Sequence, residues 1–218
     1  MQKWVYLVRH GQALKNVADR HGGPGTGLTG RGYDQARAVA RYMATAGRID
    51  DRGELIGDTV PQVRETVSAI SAENQWDVRF DERLRGTHLG VLADLSREDA
   101  ASHHPGAANR LEEWRNGLRR IDELQIPEAE PVEEFRARVK SALGDLLQSS
   151  RTHTIIVATN STLIMIQNIL MLGRGFDYEL YRPHTFPNGS ITAWIVASES
   201  FPEDVSLIVD RYVPDEWP

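Results

Sequence analysis

The fold of this chain is decided by one short stretch of its sequence, Trp4-Val5-Tyr6-Leu7-Val8-Arg9-His10-Gly11. Its first five residues are apolar and rich in β-formers, and the change to polar residues is abrupt. This pattern predicts a buried strand that ends in a loop. Ligands of open α/β sheets bind beyond the carboxyl ends of the strands, so Arg9 and His10 are the first candidate site residues.

Strand-like and helix-like segments alternate along the rest of the chain. Helical spacing of apolar residues covers 35–46, 60–70, 94–102, 109–120, 132–147 and 162–172. Short apolar runs typical of strands cover 54–57, 154–158, 190–197 and 205–212. The glycine-rich residues 20–32 are expected to form a loop, and 81–93 show no clear pattern. The alternation predicts a three-layer α/β/α sandwich with a mostly parallel central sheet.

Composition excludes several classes of site. The chain has 218 residues, a net charge of −6 and no cysteine. Disulfides, thiolate metal sites and cysteine nucleophiles are therefore absent. The acidic balance argues against general nucleic-acid binding, which needs a basic surface. His103 and His104 are adjacent and have no evident third ligand, so we predict no metal site.

No segment of the sequence predicts association with a membrane. No apolar run approaches the roughly 18 residues that a spanning helix needs. The residues after Met1 lack a signal-peptide core and a cleavage site, which favours the cytoplasm.

Several later blocks follow the opening stretch in a recognisable order. They are Asn16, Leu28-Thr29-x-x-Gly32-x-x-Gln35-Ala36, Arg64-Glu65-Thr66, Glu130-x-x-Glu133-Glu134-Phe135-x-x-Arg138-Val139 and Asn188-Gly189-Ser190-Ile191. With these blocks the chain resembles the histidine phosphatase superfamily, in particular its phosphoglycerate mutase-like branch. The resemblance covers nearly the whole chain. It implies a single domain over 1–218, with 94–131 as a helical cap insertion.

The resemblance also implies a chemistry and a set of residues. In the family a neutral histidine attacks phosphorus and becomes a phosphohistidine, and water or a second acceptor then takes the phosphoryl group. His10 matches the nucleophile, Arg9 the first phosphate-binding arginine and Asn16 a polar pocket residue. No cofactor is implied. The expected ligand is a small anionic metabolite, phosphorylated in the simplest case, and a homodimer is compatible with the sequence.

Three positions depart from the family's pattern. Gln62 stands where the second arginine is expected, four residues before Thr66, and Gly86 stands where the acid is expected. Thr159, followed by Asn160, stands where the second histidine is expected. Removing one preorganised donor typically costs about 10²–10³ in rate, so we expect conventional phosphatase activity to be low.

Other residues near these positions are weaker substitutes. Arg64 lies two positions beyond Gln62, about 200° around a helix, and should face elsewhere. His88 follows the missing acid by two residues and is a candidate pocket residue, although a surface histidine is the simpler interpretation. Glu82 is a candidate for the acid, although a solvated loop carboxylate is the simpler interpretation. His153 should lie at the far end of the sheet. His184 is a candidate for the pocket rim.

Three functions therefore remain open. The first is phosphomonoester hydrolysis or phosphoryl transfer through His10 in a depleted pocket. The second is an enzyme that uses the same pocket for other chemistry on an anionic metabolite. The third is a non-catalytic pseudophosphatase that binds a ligand or a partner protein.

Overall fold

The computed structural model describes residues 2–45, 49, 53–74, 76–171, 185–197 and 204–214. Its strands are β1 (Gln2–Arg9), β2 (Gly53–Gly57), β3 (Asp77–Phe80), β4 (His153–Ala158), β5 (Ile191–Ala197) and β6 (Val205–Tyr212). Its α-helices are α1 (Leu14–Val17), α2 (Gly30–Thr45), α3 (Pro61–Asn74), α4 (Arg97–His103), α5 (Pro105–Arg115), α6 (Val132–Gln148) and α7 (Asn160–Leu170). Short 3-10 turns lie at Glu82–Leu84, Gly90–Leu92 and Ile121–Glu123.

The six strands form one mixed sheet in the order β3-β2-β4-β1-β5-β6. The pairs β3–β2, β2–β4 and β4–β1 are parallel, whereas β1–β5 and β5–β6 are antiparallel. The prediction of a mostly parallel sheet flanked by helices is confirmed. Because β1, β4 and β2 run side by side in the same direction, the residues that follow them meet at one edge of the sheet.

Alternation along the strands divides the core into two layers. Val5 and Leu7 of β1 pack with the apolar faces of α6 and α7, in a layer that includes Phe135. Tyr6 and Val8 point to the opposite side, where α2 and α3 pack. This is the period of two that a strand buried on both faces requires.

The element boundaries differ from the predicted ones where local signals compete. The predicted loop 20–32 is shorter, because α2 already begins at Gly30. The helix predicted from residue 94 begins at Arg97, where the Ser96 side chain accepts a hydrogen bond from the Asp99 amide. The helix predicted over 109–120 spans Pro105–Arg115, since proline suits the first helical turn. Part of the predicted helix 162–172 lies outside the described residues.

One strand was missed by the sequence patterns. β3 lies at the edge of the sheet, where three of its four residues are exposed. Its sequence, Asp77-Val78-Arg79-Phe80, therefore needs no continuous apolar run. Hydrogen bonds to β2 define it, and such pairing leaves no trace in local hydropathy.

Residues 94–131 contain α4 and α5 and have an apolar cluster of their own. Leu111 and Trp114 of α5 pack there with Leu92, Leu124 and Ile126. This cluster is distinct from the two layers around the sheet. Within the described part of the chain, no helix has the length and apolar character needed to cross a membrane.

Candidate active site

The backbone after β1 is held in place by side chains from three other segments. The Thr66 hydroxyl oxygen accepts a hydrogen bond from the Gly11 amide at 3.1 Å. The Asn188 side-chain amide donates to the His10 carbonyl at 3.0 Å. The Gln35 side-chain oxygen accepts from the Gln12 amide at 2.8 Å. Hydrogen bonds from three separate segments of the chain therefore hold the loop that follows β1.

Close backbone approach explains two glycines in this loop. A Cβ atom at Gly11 would lie 2.2 Å from the Gly32 carbonyl oxygen. A Cβ atom at Gly32 would lie 2.1 Å from the Gln12 carbonyl oxygen. Only glycine at both positions lets the start of α2 pack directly on the loop.

His10 is buried and is held in one protonation state. Its side chain is almost fully buried, with 2% of its surface exposed. Its Nδ1 lies 2.7 Å from the Gly11 carbonyl oxygen, which can only accept, so Nδ1 carries the proton. Burial, followed by the nearby charges of Arg9 and Lys15, holds the pKa of His10 well below its usual range. The ring is therefore neutral near pH 7, and Nε2 keeps a free lone pair.

A cavity of about 530 Å³ opens beside His10. Its lining includes these residues predicted for the site: Arg9, His10, Asn16, Gln62, Gly86, His88, Thr159 and Asn160. A second cavity of about 680 Å³ shares Arg9, Lys15, Asn16, Arg20 and Arg115 with it. The residues that follow β1, β2 and β4 thus converge on one crevice.

The three replaced positions are neutral and line the same cavity. A Cβ atom at Gly86 would lie 2.6 Å from the Thr159 hydroxyl oxygen, so these two residues are in contact. Gln62 is completely buried, and its side-chain oxygen accepts from the Thr26 amide at 3.1 Å. Among the described residues, the side-chain nitrogens of Gln62 and Asn160 have no hydrogen-bond acceptor. Both residues line the His10 cavity, and these two nitrogens are buried beside it.

The Arg9 and Asn16 side chains are partly engaged with the protein. The Nη1 atom of Arg9 donates a hydrogen bond to the Phe186 carbonyl oxygen. The Asn16 side-chain oxygen accepts from the Ala13 amide at 2.9 Å, which stabilises the start of α1.

Among the described residues, the weaker candidates Arg64, Glu82 and His153 lie outside the His10 cavity, whereas His88 lines it. The Arg64 guanidinium stacks 4.5 Å from the Phe80 ring centre and lines neither cavity. His88 is exposed at the cavity mouth, where its Nδ1 accepts from the Gly90 amide at 3.1 Å. Glu82 is exposed and lies outside the His10 cavity. His153 is the first residue of β4, at the far end of the sheet, and His184 lies outside the described residues.

Several cations of the crevice were missed by sequence reasoning. The His10 cavity is lined by Arg9 and by four further cations, Lys15, Arg20, Arg85 and Arg115. Among the described residues, no carboxylate lines this cavity. Arg20 and Arg115 are paired with Asp94 and Glu112 respectively. The only signal for Lys15 in the sequence was its place shortly after a strand-end histidine. Arg115 comes from α5 and has no local signal at all.

Asp58 is the first residue after β2, a place where ligand sites of open α/β sheets are expected. Its side chain is completely buried, and one carboxyl oxygen accepts from the Val60 amide at 2.7 Å. Burial raises the pKa of Asp58 from 3.8 to about 7, although the Val60 amide and the cations Lys15, Arg85 and Arg138 oppose this. A buried carboxyl thus lies close to the cations of the cavity and titrates near neutral pH.

The histidine phosphatase superfamily (branch 1) model matches residues 5–203, which is nearly the whole chain. The chain belongs to this superfamily. A protein named probable phosphoglycerate mutase from Shigella dysenteriae serotype 1 is 34% identical to it over 152 residues. That match covers 67% of this chain and 66% of the relative. A protein of the same name from Enterobacter is 32% identical over 146 residues, which cover 66% of this chain and 63% of the relative. The matches thus span slightly less than two thirds of these relatives' own length.

Solved histidine phosphatase-fold structures resemble this one over almost their full length. Mycobacterial glucosyl-3-phosphoglycerate phosphatase superposes with a TM-score of 0.76 at 22% identity, covering 98% of this chain and 99% of that one. The α-ribazole phosphatase from Shigella flexneri gives 0.76 at 19% identity, with 96% of each chain covered. At such low identity these likenesses establish the fold alone.

In this member of the histidine phosphatase superfamily, helix α6 supports the cavity from outside. The Arg138 guanidinium is bound to both carboxylate oxygens of Glu130, at 2.6 and 2.7 Å. It also donates to the carbonyls of Arg83, Arg85 and Gly86, at 2.7 to 3.2 Å. The paired charges therefore hold the loop that carries Gly86 against α6.

Proposed function

We propose that this chain hydrolyses a phosphomonoester, or transfers its phosphoryl group, through a phosphohistidine at His10. The observation that carries the proposal is the state of that imidazole. It is buried and neutral, its Nδ1 proton is bound to the Gly11 carbonyl, and the residue lines a crevice together with several cations. A fixed tautomer with a free lone pair is what an attacking histidine needs.

The reaction would proceed in two displacements. Nε2 of His10 forms a bond to phosphorus while the bond from phosphorus to the leaving oxygen breaks. The leaving oxygen departs with the electron pair and takes up a proton from solvent water. An oxygen of water or of a second acceptor then attacks phosphorus and releases its proton to solvent, while the N–P bond breaks so that its electron pair returns to Nε2. Cations around the cavity oppose the charge that spreads over the phosphoryl oxygens.

The ligand of this site would be a small, strongly anionic metabolite. Five cationic side chains line the His10 cavity, in a chain whose net charge is −6. Trp114 and Arg115 reach the cavity from the segment 94–131, which supports the interpretation of this segment as a cap that influences substrate choice. A phosphorylated metabolite fits this charge.

Binding without rapid turnover is the second candidate function. It is favoured by the neutral residues Gln62, Gly86 and Thr159, which leave the crevice with amide and hydroxyl donors where the resemblance implies an arginine, an acid and a histidine. Neutral hydrogen bonds are roughly half as strong as charge-assisted ones. A pocket of this kind would hold an anion while accelerating its hydrolysis only weakly.

The test is to measure phosphate release and to detect the phosphoenzyme in the same samples. The wild type would be incubated with p-nitrophenyl phosphate, sugar phosphates and phosphoglycerates, followed by mass spectrometry of the peptide that contains His10. We expect turnover and a phosphorylated peptide in the wild type and neither in His10→Asn. His103→Asn, an exposed histidine on α4, is the matched control and should behave as the wild type. Turnover in His10→Asn equal to that of the wild type would refute the proposal, and ligand binding without turnover would favour the second candidate.

A further inference from the structure

The crevice poses a problem of charge. A phosphomonoester dianion needs cations in direct contact with the phosphoryl oxygens, because water is excluded from a buried site. Gln62 is neutral, and Arg64 on the same helix is stacked on Phe80. Beside Arg9, another cation must approach the transferring group.

Lys15 is the cation that the fold brings to this place. Its side chain is half-buried and lines both cavities together with Arg9, whereas Arg85 is exposed and lines only the His10 cavity. No hydrogen bond or ion pair within 4 Å holds its ammonium group among the residues that the structure describes, in contrast to Arg20 and Arg115. Its charge is therefore available to a ligand.

The backbone around Lys15 is anchored, so the side chain starts from a defined position. Its amide donates to the Thr26 hydroxyl at 2.9 Å. The neighbouring Leu14 amide donates to the Gly27 carbonyl at 3.0 Å, and Ala13 forms an isolated bridge with Leu28. Through these contacts the glycine-rich residues 20–29 hold α1 beside the crevice.

The charges around Lys15 are consistent with a contact to an anion. The pKa of Lys15 is lowered, chiefly by burial and also by the positive charge of Arg9. The negative charges of Asp58 and Asp94 oppose this shift. The same ammonium group helps to lower the pKa of His10. Lys15 and His10 line the same cavity, so the desolvated charge of Lys15 gains most when a dianion binds there.

We propose that Lys15 is a catalytic residue, which binds the transferring phosphoryl group next to Arg9 and supplies the positive charge that Gln62 cannot. The inference rests on the proposed function of His10. It goes further by naming the residue that compensates for a neutral position of the pocket. The role follows from the lining of the cavity and the lack of another partner for the ammonium group.

The experiment compares Lys15→Gln and Lys15→Arg with Lys140→Gln, which removes the same charge from the exposed face of α6. Three quantities are measured: kcat/KM with p-nitrophenyl phosphate, the dissociation constant of orthovanadate, and the pKa of the His10 ring by NMR. Thermal unfolding of each variant verifies that it is folded. The double variant Lys15→Gln/Gln62→Arg tests whether a cation at position 62 can replace the one at 15.

For Lys15→Gln we expect kcat/KM to fall by about 10²–10³ and vanadate to bind more weakly. The pKa of His10 should rise, because a repelling positive charge has been removed. Lys15→Arg and the double variant should recover part of the loss, and Lys140→Gln should match the wild type.

The inference is overturned if Lys15→Gln matches Lys140→Gln in both vanadate affinity and the pKa of His10. It is also overturned if Lys15→Arg loses as much vanadate affinity as Lys15→Gln. If the wild type hydrolyses no phosphomonoester, the proposed function fails by itself. Weaker vanadate binding by folded Lys15→Gln would then still support Lys15 as the anion contact.

Discussion

Replacing Asp58 by asparagine should change how the stability of the protein depends on pH. The substitution keeps the shape of the side chain, and its oxygen can still accept from the Val60 amide at 2.7 Å. It removes a carboxyl group that is completely buried in the folded chain. The variant therefore isolates the proton of one group with little change in packing.

The sign follows from the two pKa values of Asp58. The pKa is about 7 in the folded protein and 3.8 when the group is exposed, so the folded state binds the proton more tightly. The stabilisation is fully present below pH 3.8 and is lost as the pH rises to about 7. A difference of about three pKa units corresponds to about 4 kcal/mol in the free energy of unfolding.

The assay is urea unfolding of the wild type and of Asp58→Asn at intervals between pH 4.5 and about 8.5. The pKa values of His10 and His21 are lowered by burial, which makes stability rise with pH through their range. The wild type and Asp58→Asn share this effect. The informative quantity is therefore the difference between their two curves of unfolding free energy against pH. We expect Asp58→Asn to gain stability relative to the wild type as the pH increases, by about 3 kcal/mol between the acidic end of this range and about pH 8.

Asp122→Asn, at a half-exposed carboxylate near Arg120, is the matched control and should follow the wild-type curve. A difference curve for Asp58→Asn that stays flat between pH 4.5 and pH 8.5 would refute the reasoning. It would mean that the buried carboxyl is ionised in the folded protein at low pH, as in an ion pair with one of the cations around it.

Two further predictions concern the crevice. Gly11→Ala should destabilise the protein by about 1–3 kcal/mol or more in thermal unfolding, because its Cβ would lie 2.2 Å from the Gly32 carbonyl oxygen; an unchanged melting temperature would contradict this close approach. The triple variant Gln62→Arg, Gly86→Glu and Thr159→His should raise phosphatase activity at least about 100-fold, measured with p-nitrophenyl phosphate. The new side chains must adjust to one another, because a Cβ atom at position 86 would lie 2.6 Å from the hydroxyl oxygen of Thr159 in the wild type. A folded variant without any gain in activity would contradict the assignment of these positions.

Much of the fold could be predicted because its signals are local. The apolar stretch of β1 has the pattern of a strand buried on both faces, and it pairs with β4 and β5 as a central strand. The helix predicted over 132–147 matches α6, because its apolar residues repeat with the period of a helix. The edge strand β3 could not be predicted, since pairing with β2 and not its own hydropathy defines it.

The sequence by itself determined that His10 follows a buried strand and that Gln62, Gly86 and Thr159 are neutral. These facts depend on residue identity and on local periodicity, both of which can be read along the chain. Only the tertiary structure decided that Lys15 lies beside the same crevice and that Asp58 is buried near it. Burial and the distance between charges set their pKa values, and both arise when strands and loops remote in the sequence meet at one edge of the sheet.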